Sequence, residues 1–136
     1  MKIHGKGMQK KIKKAKKAKS ISQLKKIADS VFSHWIRERD KACVTCGSTE
    51  RLQNGHYISR SINVLRFSEV NCNCQCMVCN VFKSGNMAEY SAFMRRKHGP
   101  DIIEKLLKSK QTLYQFKRSD LELIIEKYSP TQTKSV

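Results

Sequence analysis

The sequence is poor in acidic residues and contains no long apolar run. It has 11 acidic against 28 basic residues, which gives a formal net charge of +17 at pH 7. This excess favours a polyanionic partner, most simply nucleic acid. No stretch approaches the ~20 apolar residues of a membrane span, and no apolar run follows the basic N-terminus as it would in a secretory signal. We therefore expect a cytoplasmic protein that binds nucleic acid.

The positive charge is concentrated near the N-terminus. Eleven lysines fall within the first 26 residues, and the first thirty residues hold a single acid, Asp29. Residues 1–19 have too few apolar side chains to pack, so we expect a flexible basic arm there. Such an arm either is a solvated tail or grips DNA phosphates without regard to sequence. The lysines that we predict to contact DNA are Lys13, Lys14, Lys16 and Lys17.

The rest of the chain predicts one folded domain of mixed α and β structure. Apolar residues at three- and four-residue spacing predict a helix over about 20–39, capped by Ser20. Two extended segments are expected at about 51–58 and 70–76, separated by a turn-rich loop. The later helices are expected to begin near Asn80, at Asn86 in a capping box with Glu89, near Ile102, and near Ser119. The domain is thus predicted to span 20–128, with a frayed tail at 129–136.

Two Cys-x-x-Cys knuckles predict a metal site. In an intracellular chain, such pairs indicate metal ligands rather than disulfides. Four thiolates at this spacing can close a structural zinc site, and a small domain gains stability from one. The predicted zinc ligands are Cys43, Cys46, Cys76 and Cys79. Cys72 and Cys74 alternate along the second extended segment, where they could be small core residues or could compete for the metal.

Several linked motifs resemble the phage NinG (Rap) recombination endonuclease family. They are Gly55-His56-Tyr57, Leu65-Arg66-Phe67, Glu69, Asn71, Gln75-Cys76, Cys79-Asn80 and Lys83-Ser84-Gly85-Asn86. The resemblance runs from about Ile36 to Asn86, and the family is related to the His-Asn-His (HNH) and endonuclease VII nucleases. It implies an α+β fold with a small zinc-stapled ββα-metal core flanked by helices. It also implies a phage-encoded, metal-dependent DNA endonuclease that acts on branched recombination intermediates such as D-loops and Holliday junctions in the bacterial host.

The chemistry of phosphodiester hydrolysis suggests roles for three of these residues. Zinc held by four thiolates has no open position, so catalysis would need a second ion, Mg²⁺ or Mn²⁺, which prefers oxygen ligands. His56 is the predicted general base, although it could instead be a ligand of that ion. Asn80 is the predicted metal ligand through its amide oxygen. Asn71 resembles the middle residue of the motif, which tethers the loop that carries the base.

One departure from the wider superfamily leaves undecided which residues would bind the catalytic ion. Many relatives have an Asp directly before the catalytic His, and here that position is Gly55. Glu69 is the acid inside the motif, and we expect it to be a surface charge. Arg60, Arg66 and Lys83 are the predicted phosphate-binding residues.

A non-catalytic zinc-containing DNA-binding module is the alternative function. A homodimer would suit a symmetric four-way junction, and other recombination proteins are further candidate partners.

Overall fold

The computed structural model describes residues 17–130. It combines helices with a two-stranded antiparallel sheet. In chain order the elements are α1 (Ile21–Asp40), β1 (Leu52–His56), α2 (Asn63–Arg66), β2 (Cys72–Cys76), a π-helix (Val78–Phe82), α3 (Met87–His98), α4 (Ile102–Lys110) and α5 (Arg118–Tyr128). Within the described residues no helix is both long and apolar enough to cross a membrane.

Helix α1 forms as its sequence predicts. The Ser20 hydroxyl accepts a hydrogen bond from the Gln23 amide at 3.1 Å, and the Gln23 side chain accepts one from the Ser20 amide at 2.8 Å. This reciprocal capping box satisfies two N–H groups that the helix itself leaves unpaired. The buried stripe of α1 consists of Leu24, Ala28, Phe32 and Ile36. The helix ends at Asp40, one residue beyond the predicted end, and its C-cap Lys41 has a φ of 63°.

The sheet is closed on one side by the end of α1. Strands β1 and β2 pair antiparallel, from Leu52 opposite Cys76 to His56 opposite Cys72. On the other edge of β2, the Asp40 carboxylate accepts from the Cys74 amide at 2.8 Å. The Arg39 guanidinium donates to the Cys72 carbonyl at 2.9 Å. These bonds satisfy backbone groups that a bare strand edge would leave open.

Cys72 and Cys74 are core residues. Both are fully buried in a cluster with Phe32, Ile36 and Tyr128, where α1 and α5 pack on the sheet. The Phe32 and Tyr128 rings meet edge to face, with centroids 4.7 Å apart. Burial raises the pKa of Cys72 to about 12, so this thiol stays protonated. Of the two interpretations of this cysteine pair, the structure therefore supports the core one.

A second cluster packs α3 and α4 against Leu65 of α2 and Ile58, just after β1. Tyr90 and Met94 from α3 are fully buried there beside Leu106 from α4. The Tyr90 hydroxyl donates to the Gly55 carbonyl at 2.6 Å, which fixes α3 to the strand.

Some predicted boundaries were wrong. Asn86 is not a side-chain cap: its φ is 48°, and its amide donates to the Cys79 sulfur at 3.6 Å instead. The turn-rich loop contains the short helix α2, and the helix predicted to begin near Asn80 is a π-helix that begins at Val78. Both strands are shorter than predicted, and α5 begins at Arg118. Helix and strand ends depend on contacts that periodicity does not report.

Candidate functional site

The two knuckles form one candidate metal centre. The sulfur atoms of Cys43, Cys46, Cys76 and Cys79 all lie within 4.8 Å of one another. The Cys46 and Cys76 sulfurs are 3.6 Å apart, and all four cysteines are free of disulfides. Tetrahedral zinc with bonds of about 2.3 Å places its sulfurs about 3.8 Å apart. The donor set therefore fits a structural metal such as zinc.

Neighbouring groups hold the sulfurs in place. The Thr45 hydroxyl lies 3.1 Å from the Cys43 sulfur, and the Cys79 amide donates to the Cys76 sulfur at 3.5 Å. Burial by itself would raise the pKa of Cys43, but hydrogen bonds from the Thr45 hydroxyl and from backbone groups lower it to about 6. A sulfur with this pKa is largely thiolate near neutral pH, which is the form that binds metal.

His56, at the end of β1, lines an open cleft beside this centre. The cleft has a volume of about 410 Å³. Its lining residues are Asp29, Phe32, Ser33, Gln53, Asn54, His56, Arg60 and Asn80. The fold thus brings together three residues that the sequence analysis selected, namely His56, Asn80 and Arg60.

The His56 ring is held through one of its nitrogens. Its Nε2 lies 2.9 Å from the main-chain oxygen of Arg66. A carbonyl oxygen only accepts, so Nε2 carries the proton and Nδ1 keeps a lone pair. Burial lowers the pKa of His56 below its ordinary value of 6.5, and the positive charges of Arg60 and Arg66 act in the same direction. The ring is therefore neutral near pH 7, with Nδ1 as its basic atom.

Asn80 presents its amide oxygen. Its Nδ2 donates to the Gln53 side-chain oxygen at 2.8 Å, which sets the orientation of the amide. Asn80 lines the cleft, and this bond leaves its Oδ1 free to accept. An amide oxygen in this position can bind a hard divalent cation.

Asn71 lies behind the cleft and ties down the loop that follows His56. It is fully buried, and its Oδ1 accepts from the Ile58 amide at 2.8 Å. Its Nδ2 donates to the carbonyls of Ile58, at 2.9 Å, and Leu65, at 3.2 Å. Asn71 does not line the cleft, so its contacts are those of a tether, as the resemblance implies.

Gly55 has no room for a side chain. A Cβ atom there would lie 2.2 Å from the Gln75 side-chain oxygen. Gln75 is fully buried, and its amide nitrogen donates to the Gly85 carbonyl at 2.8 Å. An Asp at this position would therefore displace Gln75.

Asp29 is a cleft residue that the sequence analysis missed. Its two carboxylate oxygens accept from Arg66 Nε at 2.8 Å and Arg66 Nη2 at 2.5 Å. The guanidinium of Arg66 is thus engaged in an ion pair, with its side chain 13% exposed, and is not a free phosphate ligand. The available signal was that Asp29 is the first acid of the chain and directly follows the buried Ala28 of α1.

The other predicted residues within the described part of the chain lie on the surface. Arg60, Lys83 and Lys17 are exposed, whereas Lys13, Lys14 and Lys16 lie outside the described residues. Glu69 accepts from the Tyr128 hydroxyl at 2.7 Å and does not line the cleft. Across residues 17–130, the four cysteines are the one group of three or more His, Cys, Asp or Glu side chains close enough to share an ion. A second ion in the described part of the chain would have fewer than three such ligands, with amide oxygens, water and phosphate completing its coordination.

These features define an α+β domain with a four-cysteine centre and an adjacent His–Asn cleft. A family model described as Bacteriophage Lambda NinG protein matches residues 3–135, and the chain belongs to the NinG family.

The chain is similar to several curated relatives named Protein ninG. It is 35% identical to that of Escherichia phage lambda over 86 residues, which cover 60% of this chain and 42% of the relative. The protein of Escherichia phage 933W is also 35% identical over 86 residues, with 60% and 43% covered. The protein of Salmonella phage P22 is 35% identical over 86 residues, which cover 60% of this chain and 42% of that protein. The match thus spans less than half the length of these relatives. No solved structure matches the chain.

Proposed function

We propose that this chain is a metal-dependent DNA endonuclease with an HNH-like ββα-metal site. The observation that carries the proposal is one cleft lined by both His56, whose Nε2 is bonded to the Arg66 carbonyl, and Asn80, whose amide nitrogen is bonded to Gln53. Branched recombination intermediates, such as D-loops and Holliday junctions, are the proposed substrates. These substrates are proposed on the basis of the family resemblance. The phage origin and the bacterial cytoplasm as the place of action rest on the same resemblance.

In the proposed reaction His56 acts as the general base. Its Nδ1 accepts a proton from the water that attacks phosphorus, while Nε2 stays bonded to the Arg66 carbonyl. A divalent cation such as Mg²⁺ or Mn²⁺, when bound, supplies charge neutralisation at the phosphate and the leaving oxygen. Asn80 would hold it through Oδ1. Arg60 is exposed at the cleft and would orient the phosphate by charge-assisted hydrogen bonds.

The cysteine centre would support this site without taking part in the chemistry. Zinc bound by four thiolates has no open position for water or phosphate. Cys76 ends β2, which pairs with the strand that carries His56, and Cys79 directly precedes Asn80. A metal at this centre would therefore fix Asn80 relative to His56.

DNA binding is supported by charge. The net charge of +17 favours phosphate contacts, and the exposed Arg60, Lys83 and Lys17 are available for them. A second copy of the chain and other recombination proteins are further proposed partners.

The second candidate is a zinc-containing DNA-binding module without catalysis. It is favoured by Gly55, whose site excludes the carboxylate of the wider superfamily. The lack of a carboxylate cluster in the described part of the chain points the same way.

Strand scission separates the two candidates. Labelled D-loop, four-way junction and linear duplex DNA are incubated with Mg²⁺ or Mn²⁺ and with wild type, His56→Ala or His34→Ala. His34 is an exposed residue of α1 and serves as the matched control. We expect wild type and His34→Ala to cut branched DNA and His56→Ala to lose about 10²–10⁴ in rate. Tight binding by wild type without scission in either ion would instead favour the binding module.

A further inference from the structure

One acidic side chain reaches the cleft from an element outside the sheet. Among the described residues that line the cleft, Asp29 is the only acid. It comes from α1, whereas His56 and Asn80 come from β1 and the π-helix. Its partner is Arg66, and the Arg66 main chain is in turn the partner of His56.

Three contacts link Asp29 to the imidazole. Asp29 Oδ1 and Oδ2 lie 2.8 and 2.5 Å from Arg66 Nε and Nη2. The Arg66 carbonyl oxygen lies 2.9 Å from His56 Nε2. A two-point carboxylate–guanidinium pair defines both the position and the orientation of its partners. Asp29 thus helps to position Arg66, and the Arg66 carbonyl selects the tautomer of His56.

Helix α2, which ends at Arg66, cannot hold this carbonyl unaided. It has four residues, Asn63–Arg66, and no side-chain cap at Ile62. A helix this short is unstable without tertiary contacts. Asn71 holds it at the Leu65 carbonyl, and Asp29 holds it at the Arg66 side chain.

We infer that Asp29 is a positioning residue of this site: by clamping Arg66, it keeps the Arg66 carbonyl against His56 Nε2 and so leaves Nδ1 as the unprotonated atom. The inference rests on the proposed function for the role of Nδ1 as the base, but the tautomer itself can be measured without DNA. Asp29 also gives a negative charge to the cleft, where Gly55 leaves no room for a carboxylate next to His56.

The test compares the His56 tautomer in full-length variants. Long-range ¹H–¹⁵N spectra of ¹⁵N-histidine protein at pH 8 are recorded for wild type, Asp29→Asn, Arg66→Lys and Glu38→Gln. His56→Ala assigns the signal. Lys retains the charge of Arg66 but not its planar fork. Glu38→Gln is the matched control, because Glu38 is an acid of the same helix whose side chain is 63% exposed and pairs with Lys41.

We expect one tautomer, protonated at Nε2, in wild type and Glu38→Gln, and a mixture of both neutral tautomers in Asp29→Asn and Arg66→Lys. Single-turnover cleavage at saturating DNA should fall about 10- to 100-fold in these two variants, with Kd for DNA unchanged.

An Asp29→Asn protein that folds and keeps the control's single tautomer would overturn the inference. Weaker binding of DNA or Mn²⁺ with an unchanged tautomer would also overturn it, because Asp29 would then act on the ligand directly. If wild type cuts no DNA, the proposed function fails, and the tautomer comparison still decides the role of Asp29.

Discussion

At the scale of single residues, the protonation of His56 decides what the cleft can do. Burial lowers its pKa most, the hydrogen bond with the Arg66 carbonyl and the charge of Asp29 oppose this, and the charges of Arg60 and Arg66 lower it further. A base acts in its neutral form, so a folded pKa below the ordinary 6.5 keeps His56 competent throughout the neutral range.

The proposed reaction should therefore lose rate on the acidic side only. We expect the single-turnover cleavage rate of wild type to be level above pH 6.5, the ordinary value for His, and to fall about tenfold per pH unit once the pH drops below the folded pKa of His56. The measurement is a pH–rate profile with DNA binding checked at each pH. A base-dependent inflection well above pH 7 would contradict this assignment of His56.

Gly55 is a packing requirement at the same scale. Its Cβ would lie 2.2 Å from Gln75, which is buried and bonded to the Gly85 carbonyl. We expect Gly55→Ala to lower the free energy of unfolding by about 1–3 kcal/mol, as overpacking does in cores. Denaturant unfolding of wild type and Gly55→Ala measures this difference in the free energy of unfolding.

The Gly55 prediction can be checked against its stated cause. The double variant Gly55→Ala/Gln75→Ala should lose less stability than the sum of the two single variants, because the clash is then absent. Full additivity would show that Gln75 is not the reason for the glycine. Gly55→Asp should destabilise the protein rather than raise its activity.

At the scale of elements, the knuckles connect the sheet to the π-helix. Cys43 and Cys46 precede β1, Cys76 ends β2, and Cys79 lies within the π-helix. A metal shared by these four residues would join the segment before β1 and the π-helix to the end of β2.

Metal content distinguishes ligand cysteines from core cysteines. We expect Cys46→Ser to lose bound zinc and Cys74→Ala to keep it. Cys46 is exposed, so its substitution removes a ligand with little loss of packing, whereas Cys74 is buried outside the cluster. Zinc per chain by elemental analysis, together with thermal melting, tests this. Strong chelation should lower the Tm of wild type, and equal zinc in both variants would contradict the assignment.

At the scale of the whole molecule, the net charge of +17 is the property on which the proposed association with DNA depends. The logarithm of the association constant of a protein for DNA falls linearly with the logarithm of salt concentration, with a slope of about −0.9 per phosphate contact. If the basic arm grips DNA, replacing its four predicted lysines by alanine should reduce the slope by about three to four. The lysines are Lys13, Lys14, Lys16 and Lys17.

The control replaces four exposed lysines elsewhere in the chain. They are Lys41, Lys105, Lys108 and Lys110. The salt dependence of Kd is measured for both variants. A larger change in slope for the control set than for the arm set would place the DNA-binding surface on the folded domain.

Much of the architecture could be predicted because its signals are local. The spacing within each knuckle identified four cysteines that the structure brings within 4.8 Å, and the apolar period of α1 predicted its capped helix. The resemblance selected His56 and Asn80, which line one cleft. A pair of cysteines with two residues between them, or an apolar stripe repeated each turn, depends little on the rest of the fold.

The contacts that complete the cleft belong to the tertiary structure. Asp29 meets Arg66 across 37 positions of the chain, and the Arg66 guanidinium is engaged there instead of facing solvent. The reason for Gly55 lies in Gln75, on the paired strand. By itself, then, the sequence determined the basic character of the protein, its cysteine centre, its first helix and its family. Only the packing of α1 and the pairing of the two strands decided the cleft around His56, because both bring together side chains that no local spacing relates.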